Sequence, residues 1–511
     1  MHFQSTLRRA AGTAAALLLG AGLAAAASGG ASASGVPFGS DIPGSRKLPN
    51  GATLIPVVHH DVSLPLAAIP PVPPGPPDDV DREPGRIPLN LPANRPDPVR
   101  QTSAVTLAMP TSSSFEGMGA GLAGFSPGGT PPDTNGDVGP NHYVQTVNSS
   151  VTVFSKSGAI LLGPESINTL WSGFGGGCQT NNDGDPVVKY DGAADRWVVS
   201  QFAVSSTPYL QCVAVSSTSD PTGSWNRYSF SFGSSNFNDY PKMGVWPDAY
   251  YFSFNIFANG STFSGGMACA YDRAGMIAGG TAKAAQCFGP KANDGGLLPS
   301  DLTGTTLPPG GSSNYYVDLQ TSSLSLWRFH VDWTTPSNSS FSGPTSLAVA
   351  SYSALCGGGT CVKQPGTTQQ LDSLADRLMY RLAYRNMGSY ESLVVDHSVT
   401  AGSGGGIRWY EIRSPASSPT IFQQGTFAPD SSYRWMGSVA MDHVGNIAAG
   451  YSISDGSTNK PGIRFAGRLV TDPAGQFSQG ESTMITGGGV NTGSYSRWGD
   501  YSSMSVDPTD D

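Results

Sequence analysis

Residues 185–202 read DPVVKYDGAADRWVVSQF, an apolar run, a short polar stretch and a second apolar run. Both runs are rich in valine and aromatic residues, which favour strands. The stretch between them, Gly192–Asp195, has the small and acidic residues of a turn. This segment therefore predicts a β-hairpin that begins at an acidic residue, Asp185.

The same pattern recurs along the chain, in DYPKMGVWPDAYYFSFN (239–255), RWMGSVAMDHVGNIAAGYS (434–452) and RWGDYSSMSV (497–506). Weaker copies begin near Asp137 and Asp376, and another near Tyr315. A hairpin-bearing unit repeated every 50 to 70 residues or so is typical of propeller blades. The sequence predicts an all-β protein with a six- or seven-bladed β-propeller. Helical patterns are few. Leu371–Arg385 has a helix-compatible spacing of apolar residues, although Leu378–Tyr384 also alternates as a strand would, and Asp272–Ala285 fits a short helix.

The last copy of the pattern begins at Arg497, and the sequence stops at Asp511 without a second apolar strand. An incomplete blade leaves unpaired backbone groups on an edge strand. The sequence therefore predicts an incomplete last blade, closed by residues from about 100–130 or truncated. The second alternative is favoured because Gly119–Gly129 is too rich in glycine to form good strands.

Composition restricts the classes of function. The chain has 37 acidic and 28 basic residues, a net charge of −9, so it lacks the basic surface of a nucleic-acid binder. The 9 Trp, 19 Tyr and 21 Phe argue against a disordered protein. Charged residues make up only 13% of the chain, and glycine-rich turns take their place, as in proteins built from many short strands.

The N-terminal part divides into two segments. Residues 1–27 contain Arg8-Arg9, an Ala/Leu/Gly run and small residues beyond it, which predict a secretory signal peptide. Residues 28–111 are rich in proline, most densely at Ile69–Pro77, and predict an extended spacer or a pro-region outside the propeller. The propeller is placed at 112–511. No later apolar run is long enough to span a bilayer, so a secreted protein is expected.

Six cysteines fit an exported protein, because an even number in an oxidising compartment indicates disulfides. Pairing between neighbours is preferred. Zinc is the alternative, but CxxC and HxxxH spacings are absent from the sequence. The predicted bridges are Cys178–Cys212, Cys269–Cys287 and Cys356–Cys361.

Several segments together resemble secreted sialidase-like (BNR-type) β-propeller proteins without an assigned activity. Ser219–Trp225 is similar to the Asp-box of that family, S-x-D-x-G-x-x-W, but is out of register with it. The segments that carry the resemblance are PPDTNGDVGPNHYVQ (131–145), DPVVKYDGAADRWVVSQF (185–202), SDPTGSWNRY (219–228), DYPKMGVWPDAYY (239–251), RWMGSVAMD (434–442) and RWGDYSSMSVDP (497–508).

The repeat places the first residues of each blade at one end of the fold, where Lys242 is among the polar residues expected. Arg377, Arg434 and Arg497 fall at comparable blade positions. Resemblance to sialidases implies that such a trio binds a substrate carboxylate, because guanidinium groups match carboxylates bidentately. The alternative is that each arginine forms a structural ion pair.

The same resemblance suggests catalytic groups. Glu391 and Tyr501 would form a nucleophile pair, and Asp185 or Asp239 would act as the acid. Glycoside cleavage generally needs two carboxyl groups, and a tyrosine nucleophile is the sialidase exception.

A calcium site is a further hypothesis. Asp133, Asn135 and Asp137 alternate along one glycine-containing loop, and Asp183 lies in a similar one. Calcium prefers such oxygen ligands, although the loop lacks the glutamate of an EF-hand. A cluster of Asx-turns is the alternative.

These observations favour a secreted protein that acts on or binds extracellular glycans, such as a glycoside hydrolase or lyase for an acidic sugar. A non-catalytic binding or adhesion propeller and a cell-envelope structural propeller are the alternatives, and enzyme status stays open. Two carboxyl groups close together beside the arginines would favour the enzyme.

Overall fold

The computed structural model describes residues 37–73, 87–88, 90–103, 109, 113–127, 129–493 and 495–511. The predicted signal peptide, 1–27, lies outside these ranges, as do residues 74–86 of the predicted spacer. Within the described ranges, no helix is both long enough and apolar enough to cross a membrane.

Strands dominate the described chain, as the sequence predicted. The N-terminal part contributes β1 (Arg46–Lys47), β2 (Thr53–Ile55), β3 (Val57–Val62) and β4 (Arg100–Gln101). Two groups of four follow: β5 (Asn135–Val138), β6 (His142–Val147), β7 (Ser150–Ser155) and β8 (Ile160–Ser166), then β9 (Gly184–Asp191), β10 (Arg196–Ala203), β11 (Tyr209–Ser216) and β12 (Trp225–Gly233).

The middle of the chain repeats this organisation. One group consists of β13 (Asn236–Val245), β14 (Tyr250–Ala258), β15 (Thr262–Tyr271) and β16 (Ala285–Lys291). The next consists of β17 (Leu298–Leu302), β18 (Asn314–Leu319), β19 (Ser323–His330) and β20 (Ser340–Ala348).

A short hairpin, β21 (Thr360–Val362) and β22 (Leu371–Asp372), precedes the last two groups. These are β23 (Met379–Asn386), β24 (Glu391–Ala401), β25 (Gly404–Arg413) and β26 (Thr420–Phe427), then β27 (Tyr433–Met441), β28 (Ile447–Ser454), β29 (Gly462–Arg468) and β30 (Glu481–Ile485). The α-helices are α1 (Gly176–Thr180) and α2 (Arg273–Ala278), and the 3₁₀ turns are Leu66–Ala68, Ile167–Trp171, Pro336–Asn338 and Leu355–Gly358.

The six groups, numbered here as blades I to VI, form an antiparallel propeller. Within each blade, strands that follow one another in sequence are hydrogen-bonded neighbours. The first strands of consecutive blades lie against one another, in the order β5, β9, β13, β17, β23 and β27. They are therefore the inner strands around the central axis. We call the face at which these inner strands begin the front face, and the opposite one the far face.

The N-terminal strands belong to the propeller, and this corrects the predicted spacer boundary. Strand β2 pairs with β16 in blade III and β3 pairs with β12 in blade II, both antiparallel. Strand β4 pairs with β26 in blade V. The stretch 53–62, TLIPVVHHDV, is rich in β-branched residues, which favour pairing with an exposed outer strand.

The C-terminal segment corrects the predicted incomplete blade. Blade VI has four strands, and the described residues of 495–511 contain none. Instead, Ser502 Oγ donates to Met436 O of blade VI (3.2 Å), and Ser503 Oγ donates to Gly136 O of blade I (2.7 Å). The segment therefore lies between the first and last blades. The described residues of 100–130 add no strand to blade VI, because their only strand, β4, belongs to blade V.

All three predicted disulfides are present: Cys178–Cys212, Cys269–Cys287 and Cys356–Cys361. The second joins directly opposed residues of β15 and β16. The short helix expected within Asp272–Ala285 is α2, which begins after Asp272 because the carboxylate of that residue caps the amide of Gly275.

Candidate functional site

The inner strands share an unusual backbone feature near the front face. Asp133, Asp185, Tyr240 and Met436 have positive φ values of 43°, 45°, 53° and 52°. Asp133 precedes β5, Asp185 is the second residue of β9, and Tyr240 and Met436 lie within β13 and β27. For residues other than glycine this conformation costs on the order of 1–3 kcal/mol each, and it is concentrated at functional sites. The front end of the axis is therefore the candidate site.

A β-bulge places Lys242 in this region. The pairing of β13 with β14 shifts between Asp239 and Lys242, and bulges of this kind redirect side chains. The Lys242 Nζ atom lies 3.5 Å from the centre of the Tyr240 ring and 3.7 Å from that of Tyr501. It also donates to Pro241 O at 3.0 Å. The ammonium group is thus held between two aromatic faces.

Three aspartates from three blades surround this ammonium group electrostatically. Burial lowers the pKa of Lys242, and the carboxylates of Asp185, Asp133 and Asp239 raise it. The net pKa is about 7. Asp133 and Asp239 are buried, and Asp185 is partly exposed. We call Asp133, Asp185, Asp239, Lys242 and Tyr501 the axial cluster. The carboxyl groups of three of its members interact electrostatically with Lys242, and their catalytic role stays a prediction.

Two of the three predicted arginines border this cluster. The Arg377 guanidinium carbon lies 4.4 Å from the centre of the Tyr240 ring, and Arg377 pairs with Asp376 at 2.8 Å. Arg497 pairs with Asp500, whose backbone oxygen accepts a hydrogen bond from the Tyr240 hydroxyl (3.3 Å). Each arginine thus has its own carboxylate partner.

Arg434 has different surroundings, so the structure does not support a single carboxylate site made by the three arginines. Its guanidinium binds Asp430 at 2.8 Å and Glu481 at 2.8 Å. Glu481 belongs to β30, in the same blade as Arg434, and also accepts from Tyr451 (2.7 Å). The contacts of Arg434 are therefore those of the alternative, a structural ion pair.

The predicted nucleophile pair does not come together. Glu391 accepts from the Tyr384 hydroxyl at 2.7 Å and from the Tyr315 hydroxyl at 3.3 Å. It lies opposite Asn386, at the end of β23 farthest from Tyr380, whose ring is 6.4 Å from that of Tyr501. The two residues therefore belong to opposite ends of the propeller.

Tyr501 is also poorly suited to be a nucleophile. Its hydroxyl donates to Pro186 O at 3.1 Å. Burial and the carboxylates of Asp133 and Asp185 raise the pKa of Tyr501 well above its usual range. A phenolate is therefore disfavoured, and the ring serves as an aromatic face for Lys242.

The oxygens proposed for calcium are largely engaged by the protein. Asn135 Oδ1 accepts from Val188 N (2.9 Å), and Asp183 Oδ2 accepts from Val204 N (2.5 Å). Asp137 binds the ammonium group of Lys189 at 2.6 Å. Among the described residues, no group of three or more His, Cys, Asp or Glu side chains is arranged to hold a metal ion. The calcium site stays a prediction that these contacts do not support.

A second charged group on the axis was missed from the sequence. Lys189 bridges Asp137 (2.6 Å) and Asp301 (2.8 Å), and Arg381 binds Asp301 at 2.6 Å. These four buried residues come from blades I, II, IV and V. Lys189 and Arg381 also line a cavity of about 280 Å³ that opens towards the far face beside Tyr190 and Leu307. In the sequence, this group is indicated by two charged residues, Lys189 and Arg381, that lie inside apolar strand segments.

Within the described residues, the fold is a β-propeller with acidic groups around a buried lysine. No protein family matches the sequence, and no curated protein matches it. The sialidase-type resemblance stays a prediction.

Solved structures similar to this chain include three polysaccharide-degrading enzymes. An endo-arabinase from Bacteroides thetaiotaomicron is 12% identical and has a TM-score of 0.30. The match covers 57% of this chain and 95% of the endo-arabinase chain. An α-L-arabinanase from Penicillium chrysogenum is 9% identical, with 73% and 98% covered and a TM-score of 0.34. An exo-β-1,3-galactanase from Phanerochaete chrysosporium is 12% identical, with 71% and 79% covered and a TM-score of 0.30. These values are too low to assign a family.

Proposed function

We propose that this protein is an extracellular glycoside hydrolase whose catalytic groups are aspartates of the axial cluster. The observation that carries the proposal is that Asp133, Asp185 and Asp239, from three consecutive blades, all interact electrostatically with the single ammonium group of Lys242. Strained backbone at Asp133, Asp185 and Tyr240 supports a functional role for this place.

Glycoside hydrolysis uses one carboxyl group as an acid and a second as a nucleophile or base. Two aspartates of the axial cluster would fill these roles. We assign them to Asp185 and Asp239, one as the acid that protonates the leaving oxygen and the other as the carboxylate that attacks the sugar or activates water.

An extracellular location is part of the proposal. Three disulfides are typical of proteins that fold in an oxidising compartment. The signal peptide predicted at residues 1–27 is in agreement with this location. The substrate class that follows is an extracellular polysaccharide.

One observation favours the non-catalytic alternative, a glycan-binding propeller. Lys242 and Asp239 have side chains that are almost fully buried, with exposures of 0% and 3%. A hydrolase requires that substrate reach the carboxylates. A binding protein with a different contact surface would use the same cluster only to hold its blades together.

Activity of the full chain on a panel of neutral and acidic polysaccharides separates these functions. Released reducing ends indicate hydrolysis, and unsaturated products indicate a lyase. Asp185→Asn and Asp239→Asn should each lower hydrolysis at least a hundredfold, whereas Asp510→Asn, a matched change at an exposed position, should not. Full activity of both cluster variants would overturn the hydrolase assignment, and binding without hydrolysis by the wild type would favour the alternative.

A further inference from the structure

A cleft beside blade V contains charged groups that the axial cluster does not use. It has a volume of about 540 Å³ and lies between the stretch 93–100 and the loops that follow β20 and β24. The Cys356–Cys361 disulfide lines one side. This volume falls within the range of roughly 300–1,000 Å³ that small-molecule sites occupy.

The wall formed by residues 93–100 is fixed by hydrogen bonds. Ser353 Oγ accepts from Arg95 N (2.7 Å) and Ser351 Oγ donates to Pro96 O (2.7 Å). Ala354 N donates to Pro92 O at 2.9 Å. The cleft is therefore a preformed feature of the surface.

Two arginines in this cleft lack carboxylate partners. Arg100 donates only to Ala428 O, at 3.4 Å, and its Nε atom is buried without a hydrogen-bond partner among the described residues. Arg95 is exposed at the rim, and the described residues provide no ion pair for it. By contrast, Arg377, Arg434 and Arg497 each have a carboxylate partner. An unused guanidinium N–H group calls for an acceptor, preferably an anionic one.

Asp97 supplies the complementary group in the same cleft. Its Oδ1 atom binds Arg408 at 2.6 Å and accepts from Val99 N at 3.1 Å. Its Oδ2 atom is buried and has no hydrogen-bond partner in the part of the chain that the structure describes. Arg408 balances the charge of Asp97, so the cleft as a whole keeps the positive charges of Arg95 and Arg100. The unpaired carboxylate oxygen suits a hydroxyl donor.

We propose that this cleft binds an acidic sugar unit, whose carboxylate faces Arg95 and Arg100 and whose hydroxyl group donates to Asp97 Oδ2. A uronic acid residue of a polysaccharide carries both groups on one ring. The lining of this site shares no residue with the axial cluster, and the site selects polymers that contain acidic units. It rests on the proposed function only in that the same polysaccharide would reach both sites.

Calorimetric titration of the full chain with trigalacturonate tests the proposal. The wild type should bind this probe, and its fully methyl-esterified form should bind at least tenfold more weakly because esterification removes the charge. Sulfate added at high concentration should compete. Arg95→Gln/Arg100→Gln should weaken binding at least tenfold. Arg95→Gln alone changes an exposed residue and should weaken binding while the unfolding temperature stays unchanged. This single variant keeps the test valid if the double variant folds poorly.

Two controls make the outcome decisive. Arg46→Gln removes one charge from an exposed arginine of β1, outside the cleft, and should bind trigalacturonate as the wild type does. Asp239→Asn should also keep this binding, so a failure of the proposed hydrolysis does not affect the result. Equal binding of the ester, equal binding by both cleft variants, an equal loss in Arg46→Gln, or no binding by the wild type would each overturn the proposal.

Discussion

The ammonium group of Lys242 lies 3.7 Å from the centre of the Tyr501 ring, which joins blade III to the C-terminal segment on the propeller axis. The ring of Tyr240, two residues before Lys242, lies 3.5 Å from the same ammonium group. Desolvated cation–π contacts of this kind contribute about 2 kcal/mol or more. The contact therefore couples the axial cluster to a segment far away in sequence.

Replacement of Tyr501 tests this coupling. Tyr501→Leu removes an aromatic face and should lower the free energy of unfolding by about 3 kcal/mol, since cation–π attraction and core packing are both lost. Tyr501→Phe keeps the ring and loses only the hydrogen bond to Pro186 O, at a cost of about 1 kcal/mol. Denaturant unfolding measures both values. Equal losses in the two variants would show that the ring contact with Lys242 contributes nothing.

Removal of residues 500–511 tests how the ring of blades is held. This segment bonds to blades I and VI, and at its end Arg385 binds Asp511 at 2.6 Å. The shortened chain should unfold at a temperature lower by a few degrees, because several kcal/mol are lost and each shifts the midpoint by about 1 °C in a chain of this length, at about 2.1 cal/mol/K of unfolding entropy per residue. Thermal unfolding followed by circular dichroism provides the measurement, and Asp510→Asn provides the control. An unchanged midpoint would mean that blades I and VI hold together without the segment.

The buried network around Asp301 should be sensitive to loss of a single charge. Burial raises the pKa of Asp301, but Arg381 and Lys189 lower it by more than burial raises it. The net pKa of Asp301 is therefore below its usual value. Asp301→Asn leaves two buried cations with one fewer partner and should cost about 3–5 kcal/mol.

The pH dependence of this network has a defined sign. Because the folded-state pKa of Asp301 is lowered, its contribution is present above the unfolded pKa of about 3.9 and is lost as pH falls through the folded value. The difference in stability between the wild type and Asp301→Asn, measured by denaturant unfolding, should therefore be smaller at pH 3 than at pH 7. A gap of equal size at both values would assign the effect to packing instead of charge.

Local features of the fold were predictable from the sequence. The hairpin of β9 and β10 closes between Asp191 and Arg196, where the sequence shows turn residues. The helix α2 begins at its capping aspartate, Asp272, and the disulfides join neighbouring cysteines. Each of these depends on residues close together along the chain, so composition and spacing suffice.

Features made by distant segments were not predictable. The sequence grouped Arg434 with two other arginines in a ligand site. Its partner in the structure, Glu481, lies in β30, and a single sequence does not indicate that pairing. Strands β2 and β3 lie in the segment that its proline content had assigned to a spacer. The axial cluster was found in part, through Asp185, Asp239 and Lys242, because the blade repeat aligns their positions. The role of Tyr501 beside Lys242 depends on the path of the C-terminal segment.

A buried carboxyl group in blade V gives the last prediction. Asp396 is fully buried in β24, and neither of its carboxyl oxygens has a hydrogen-bond partner among the described residues. Burial raises the pKa of Asp396 well above its usual range. The unfolded chain ionises this group at about pH 3.9. The folded state therefore loses stability, relative to the unfolded state, as pH rises from about 4 towards the folded-state pKa.

Asp396→Asn removes this dependence while it keeps the size of the side chain. The variant should be more stable than the wild type at pH 8 by at least about 1 kcal/mol, since one unit of pKa shift corresponds to 1.36 kcal/mol. At pH 4 the difference should be small, because the wild-type carboxyl group is then mostly protonated in the folded state. Denaturant unfolding at both pH values measures the difference, and Asp510→Asn, an exposed change of the same type, should show none. A variant that is less stable than the wild type at pH 8 would show that Asp396 is ionised and stabilised in the folded protein.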